Sequence, residues 1–379
     1  MNGLFTEVGP CEIIQEEDGS YSTRPRVWGW DRSSNILFID QPTHVGFSYD
    51  ERVNASIDFK EYKSGRADSY KEPLPLPDGV PEWRFKNGTF SSGLLDNTEY
   101  STNMAARASW HFLQGFLSVF PQYNPGTRPG SNVAGPSFIN LFGESYGGTY
   151  GSIFADFFQE QNNQLKDGLL PADTLDIHLG SVGIVNGVLD VLVAAVSVLE
   201  FAYNNTYGIE GINLTTFRES ISAVDEKMGC RDLVSQCGTM AALHDPEGFG
   251  NDNRTNSVCG RAFRICSEVA RAAGPPAVNR SQYDYRVRPQ VVPGNVLSEY
   301  LNNVDVLHSI GAPVNFSSSS HAVYDLYSAS KYSNILTLCL NRRFTDSCNR
   351  RGFGPRHSTG LLGRLAGSRH QGSPHLRRC

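Results

Sequence analysis

The feature that most constrains this chain is five residues long: Gly143-Glu144-Ser145-Tyr146-Gly147, set between two different apolar patterns. Residues 137–142 (SFINLF) form a short apolar run that reads as a buried strand. Residues 149–162 (TYGSIFADFFQEQN) repeat apolar side chains at helical spacing. A strand that ends in G-x-S-x-G and turns at once into a helix holds its serine in a strained elbow. The hydroxyl then stands exposed at the carboxyl edge of a sheet. Gly143 and Gly147 are read as the residues that let strand and helix approach closely. The backbone N–H after the serine, that of Tyr146, points to where negative charge develops on an attacked acyl group.

The neighbouring sequence supports an α/β architecture with a mostly parallel central sheet. Residues 35–40 (NILFID) and 181–185 (SVGIV) read as buried strands. Thr102 to Phe120 is apolar-periodic and reads as a helix, ended by Pro121 and the Pro/Gly-rich NPGTRPG at 124–130. Strands alternating with helices imply parallel pairing. Residues 61–100, with PLPLPDGVPEW inside them, read as a surface insertion. The expected division is 1–186 as the first part of the core, 187–275 as an inserted helical cap, 276–340 as a return to the core, and 341–379 as an atypical basic tail.

Charge and cysteine usage narrow the function classes. Residues 1–340 carry 24 Lys and Arg against 38 Asp and Glu, an acidic body that argues against nucleic acid as a partner. Residues 341–379 carry nine Arg and one Asp. This Arg-, Gly-, Ser- and His-rich text has no sustained period and reads as out-of-frame or non-coding sequence, or else as a basic interaction arm. The longest apolar stretch, 191–199 (VLVAAVSVL), is about half of the roughly 20 residues a membrane span needs. Cys230, Cys237, Cys259 and Cys266 are spaced 7, 22 and 7 residues apart. Four cysteines allow three pairings, and the symmetric spacing favours Cys230–Cys266 nested around Cys237–Cys259. Zinc fits poorly, because C-x2–4-C spacing and nearby histidines are missing. Seven N-x-S/T sequons, at Asn54, Asn87, Asn204, Asn213, Asn253, Asn279 and Asn315, agree with a secretory route. Met1 is nevertheless followed by neither a basic nor an apolar leader segment.

GESYGGTY at 143–150 resembles the nucleophile elbow of serine carboxypeptidases, a branch of the α/β-hydrolases. NGLFTEVGPC (2–11), NILFIDQPTHVGFSY (35–49), GSVGIVNGVLD (180–190) and EYLNNVDVLHSIGAPVNF (299–316) are similar to further stretches of that family. The resemblance implies that Ser145 is the nucleophile and that Tyr146 supplies one oxyanion donor. It also implies that Glu7 and Glu144 together bind the carboxylate at a peptide's C-terminus. Two carboxyls held close share a proton, and the protonated one can donate a hydrogen bond to that carboxylate. The substrate would be the C-termini of peptides or proteins, cut at acidic pH through an acyl-enzyme. No metal or organic cofactor is implied, and the compartment would be vacuolar or secreted.

The chain also departs from the family pattern. The family's glycine-rich segment before NGLF, source of a second oxyanion donor, has no counterpart ahead of Asn2. Asp346, in Asp346-Ser347-Cys348-Asn349, is one residue short of the family's D-x-x-C-N pattern for the triad acid. His321, His357 and His370 match no family histidine loop, and His44 is expected to line or border the site. Without a base Ser145 is a weak nucleophile. This reading therefore expects a truncated start, a divergent end and poor turnover. The rival readings are a non-catalytic relative or gene-model fragment, and another α/β-hydrolase such as an esterase or acyltransferase.

Overall fold

The computed structural model describes residues 1–61, 66–70, 74–80, 85–99, 101–124, 126, 136–273, 279–281, 284–288, 296–320 and 322–323. A π-helical turn, Gly3–Glu7, leads into the antiparallel pair β1 (Cys11–Gln15) and β2 (Tyr21–Pro25). A three-stranded antiparallel sheet follows, formed by β3 (Arg52–Glu61), β4 (Arg66–Tyr70) and β5 (Phe85–Ser91), with β3 in the middle. Helix α1 (Thr102–Val119), strand β6 (Ser137–Glu144), helix α2 (Gly147–Lys166) and strand β7 (Ile177–Val185) come next. Four cap-region helices follow: α3 (Val191–Tyr203), α4 (Leu214–Asp225), α5 (Cys230–His244) and α6 (Asn253–Ala273). The short α7 (Val296–Leu301) and α8 (Val304–Ile310) complete the described elements.

The unit that positions the elbow is β6–α2–β7, with β6 and β7 parallel from Ser137↔Ile177 to Glu144↔Val185. One face of this pair packs on α1 and α2. Trp110, Leu113 and Leu117 recur at helical spacing on α1 and meet Ile153, Phe154 and Phe158 of α2 over Ile177. Polar clamps fix the register. Gln114 brackets Leu175 with two 2.8 Å hydrogen bonds, and Asn162 Nδ2 donates to the Ile177 carbonyl at 2.9 Å. Ser101 caps α1, its side chain accepting from the Met104 N–H.

The fold class is α/β, but three strand expectations need correction. Residues 181–185 lie in β7 but are not buried, since Ile184 and Val185 are exposed. Residues 35–40 form no ladder among the described residues. They keep a period of two, with Leu37 and Ile39 exposed and Ile36 and Phe38 half-buried, yet alternation without a pairing neighbour makes an extended segment, not a strand. Residues 137–142 do form a strand, but only one of its faces is covered, and Phe138 and Phe142 lie on the open one.

Helices α3 to α6 share a second core. It is built on Leu199, Val224 and Leu233 and on the cysteines, all almost completely buried. Cys230 bonds Cys266, and Cys237 bonds Cys259, with Cα separations of 4.8 and 4.7 Å. Two nested bridges thus staple α5 to α6, in the pairing that the spacing favours.

A candidate nucleophile elbow

Ser145 lies between the end of β6 and the start of α2 with φ of 57°, a left-handed conformation that is uncommon outside glycine. Its backbone is held at both ends. The Ser145 N–H donates to the Val185 carbonyl at 3.1 Å. Its own carbonyl accepts from the Gly148 N–H at 3.1 Å and the Val188 N–H at 2.8 Å. Ser145 itself is exposed. Its strain is therefore fixed by surrounding backbone, and the hydroxyl is left outward.

The two flanking glycines differ in what they do. A Cβ on Gly143 would lie 2.4 Å from the Gly147 carbonyl oxygen, so strand and helix meet only because Gly143 has none. A Cβ on Gly147 would meet nothing within 4 Å. The second close approach is at Gly148, where a Cβ would sit 2.8 Å from Gly187 Cα. Thr149 Oγ1 donates to the Val188 carbonyl at 2.6 Å and ties the 186–188 turn to the helix. Sequence reasoning missed this support, although Asn186-Gly187 after an apolar run was the available signal; Asn186 has φ of 45°.

Tyr146 is the N-cap residue of α2, where the helix dipole favours negative charge. Its ring packs against the cap core beside Val188. The hydroxyl lies 3.1 Å from Thr102 Oγ1. Burial pushes the phenol up to about 12, and the Thr102 bond acts weakly the other way. The side chain is thus a structural plug, and the backbone is the part available to chemistry.

Glu144 ends β6 and is exposed, and Glu7 ends the first turn of the chain and is exposed too. No hydrogen bond joins them among the described residues. Their segments are linked indirectly: the Trp30 N–H donates to the Val8 carbonyl at 2.9 Å, and the Trp30 ring meets Phe142 edge-on at 4.8 Å. Asp346, His321, His357 and His370 lie outside the described residues. Among those described, no histidine hydrogen-bonds to Ser145.

His44 is engaged elsewhere. Ser91 Oγ donates to Asp50 Oδ1 at 2.7 Å, accepts from the Asp50 N–H at 3.2 Å, and lies 2.5 Å from His44 Nδ1. With the serine proton committed to Asp50, His44 Nδ1–H is the donor in that contact. His44 Nε2 is buried and has no hydrogen-bond partner among the described residues. This inverts a catalytic triad, in which the imidazole accepts the serine proton and the aspartate orients the imidazole. Burial alone would raise the Asp50 carboxyl; bonds from Ser92, Asn97 and Ser91 outweigh it and hold it well below the usual carboxylate range. A cavity of about 380 Å³ borders His44, Ser91, Phe90 and Val314, and Ser145 does not line it. The cavity and the elbow thus lie at different places among the described residues. The elbow is the stronger indicator, because its backbone strain has a specific chemical use.

Among the described residues, no cluster of three or more His, Cys, Asp or Glu could hold a metal ion. No described helix is long and apolar enough to cross a membrane.

Comparison with known proteins points to one family. The family model described as serine carboxypeptidase matches residues 1–344. Carboxypeptidase S1 homolog A of Arthroderma otae is 34% identical over 336 residues, which cover 86% of this chain and 48% of that protein. The Carboxypeptidase Y homolog of Arthroderma benhamiae is 32% identical over 329 residues, covering 86% and 49%. Carboxypeptidase S1 of Penicillium janthinellum is 24% identical over 330 residues, covering 87% and 60%. The chain spans about half the length of the first two of these relatives.

Proposed function

The chain belongs to the serine carboxypeptidase family, and from that premise we propose that it removes single residues from the C-termini of peptides through an acyl-enzyme. The observation that carries this reading is the left-handed Ser145 between β6 and α2. Ser145 Oγ would attack the carbonyl of the last peptide bond, and the oxyanion would accept a hydrogen bond from the Tyr146 N–H at the head of α2. Collapse would expel the C-terminal amino acid and leave an ester on Ser145, which water then hydrolyses. Removing the serine proton needs a base. His44 is unsuited to that role, because its Nδ1 is committed to Ser91 and its Nε2 is buried. Asp346 keeps the part of triad acid that the family pattern gives it.

Glu7 and Glu144 are proposed to receive the substrate's terminal carboxylate. Their exposure, and the Val8–Trp30–Phe142 link between their segments, support the assignment. Residues 187–275 are read as a cap over the core of 1–186, a division supported by their separate hydrophobic cluster. The disulfides, which persist in oxidising compartments, support a secretory or vacuolar location. The carboxypeptidase names of the relatives weigh against the non-catalytic reading. The discriminating experiment compares an N-blocked dipeptide with its C-terminal amide. The free acid should be cleaved in preference, and Glu144→Gln should raise KM for the acid while leaving the amide unaffected. Equal handling of acid, amide and simple ester would favour an esterase instead.

A further inference from the structure

Helix α6 has two unlike faces. Thr255, Cys259, Ala262 and Cys266 are completely buried and recur at helical spacing against the second core. Arg254, Arg261, Arg264 and Arg271 are all exposed. At about 3.6 residues per turn these four fall within an arc of about 100°, opposite the buried stripe, in a row about 26 Å long. The only acidic residue of α6 is Glu268, which lies 3.1 Å from Arg264. Arg254 is near Asp252, whose carboxylate is already engaged by the Thr255 N–H and hydroxyl, both at 2.7 Å. Arg261 and Arg271 make no hydrogen bond or ion pair among the described residues. The row stands out from its surroundings: residues 187–275 hold seven Lys and Arg against eleven Asp and Glu, and four of those seven lie here. Cys259 and Cys266, on the buried side, tie α6 to α5. The row is therefore held in place before anything binds it, which lowers the cost of binding. A line of fixed guanidinium groups can grip a chain of oxyanions through paired N–H bonds.

We propose that the arginine row on the outer face of α6 binds a sulfated polysaccharide. A planar anionic membrane would also press on the exposed Glu219, Asp225, Glu226 and Asp232, on and beside α4 and α5. A single chain can follow the row and avoid them. The four arginines stand 7, 3 and 7 residues apart, about 10, 5 and 10 Å along the axis. That spacing suits anions carried on separate sugars better than the adjoining phosphates of a polyphosphate. An acidic peptide loses charge as pH falls towards the carboxylate range, and a sulfate does not. Only this last choice rests on the acidic pH of the peptidase reading. The binding itself needs no turnover, so the two readings can fail separately.

The test is to titrate a size-defined heparin oligosaccharide into the full-length chain by calorimetry, at low salt and acidic pH. The nine arginines of 341–379 are changed to glutamine throughout, so that only the folded body is read. Saturable binding is expected. Arg254→Gln with Arg261→Gln and Arg271→Gln should weaken it at least tenfold, while Arg264 stays in place to keep its Glu268 pair. All three side chains are exposed, so the urea midpoint should not move, which separates lost binding from lost folding. Affinity for polyphosphate, polyglutamate and phosphatidylserine vesicles should be at least tenfold lower than for heparin. No binding with the α6 arginines intact, equal binding by the triple variant, or equal affinity for any of those three other anions would each overturn the proposal.

Discussion

Ser145 sits where a non-glycine residue carries a conformational cost, and its neighbours explain why it stays there. Gly143 is the residue that cannot change. Gly143→Ala would push a methyl into the Gly147 carbonyl and should cost about 1–3 kcal/mol through overpacking, read as a lower denaturation midpoint. Gly147→Ala meets open space and should leave the midpoint nearly unchanged, although both glycines look alike in the motif. Asp50 gives a second prediction at this scale. Its carboxyl is only 11% exposed and is held below its unfolded value by bonds from Ser92, Asn97 and Ser91. A depressed carboxyl contributes stability above its unfolded value, near pH 4, and loses it as pH falls towards the folded value. Asp50→Asn should therefore cost on the order of 1–3 kcal/mol at pH 7. The gap to the unsubstituted protein should narrow below about pH 4, as measured by urea denaturation across pH.

The nested disulfides add to the stability of helices α5 and α6. They close loops of 36 and 22 residues, and a loop-closure argument assigns each about 3–4 kcal/mol. Replacing Cys230 and Cys266 by serine should lower the cap's unfolding free energy by a similar amount, followed by hydrogen exchange in α5 and α6. An exchange pattern identical to that of the unsubstituted protein would refute a stabilising role. These bridges were legible in the sequence because their spacing is symmetric. The β6–elbow–α2 unit was legible because an apolar run gives way to helical spacing across the five residues of the motif. Strand β3 was missed, although Val53, Ala55 and Ile57 alternate with polar residues; the surrounding Pro, Gly and charge disguised the period. The segment at 35–40 misled in the opposite way, since its apolar composition says nothing about whether a partner strand lies beside it. The fate of His44 could not be read from the chain at all. Its partners, Ser91 and Asp50, are set by the packing of β5 against the 40–50 loop.

At the scale of the whole molecule, two cores meet at the elbow. The α1–α2–β6–β7 core holds the Ser145 backbone, and the α3–α6 core receives the Tyr146 ring. Ser145 and Tyr146 are thus held by opposite sides of one structure. Thr102→Val should test that coupling, because it removes the hydroxyl 3.1 Å from Tyr146 while keeping the volume. It should cost about 1–3 kcal/mol, because a buried hydroxyl loses that bond, seen as a lower denaturation midpoint, and slow any acyl transfer, seen as a lower kcat. The central claim is that Ser145 performs nucleophilic attack on C-terminal peptide bonds. The most direct measurement is the rate at which the protein frees the last residue of an N-blocked dipeptide at acidic pH, set beside Ser145→Ala. The account predicts slow but measurable release that Ser145→Ala abolishes. Equal rates in the two proteins, or no release by the unsubstituted one, would contradict it.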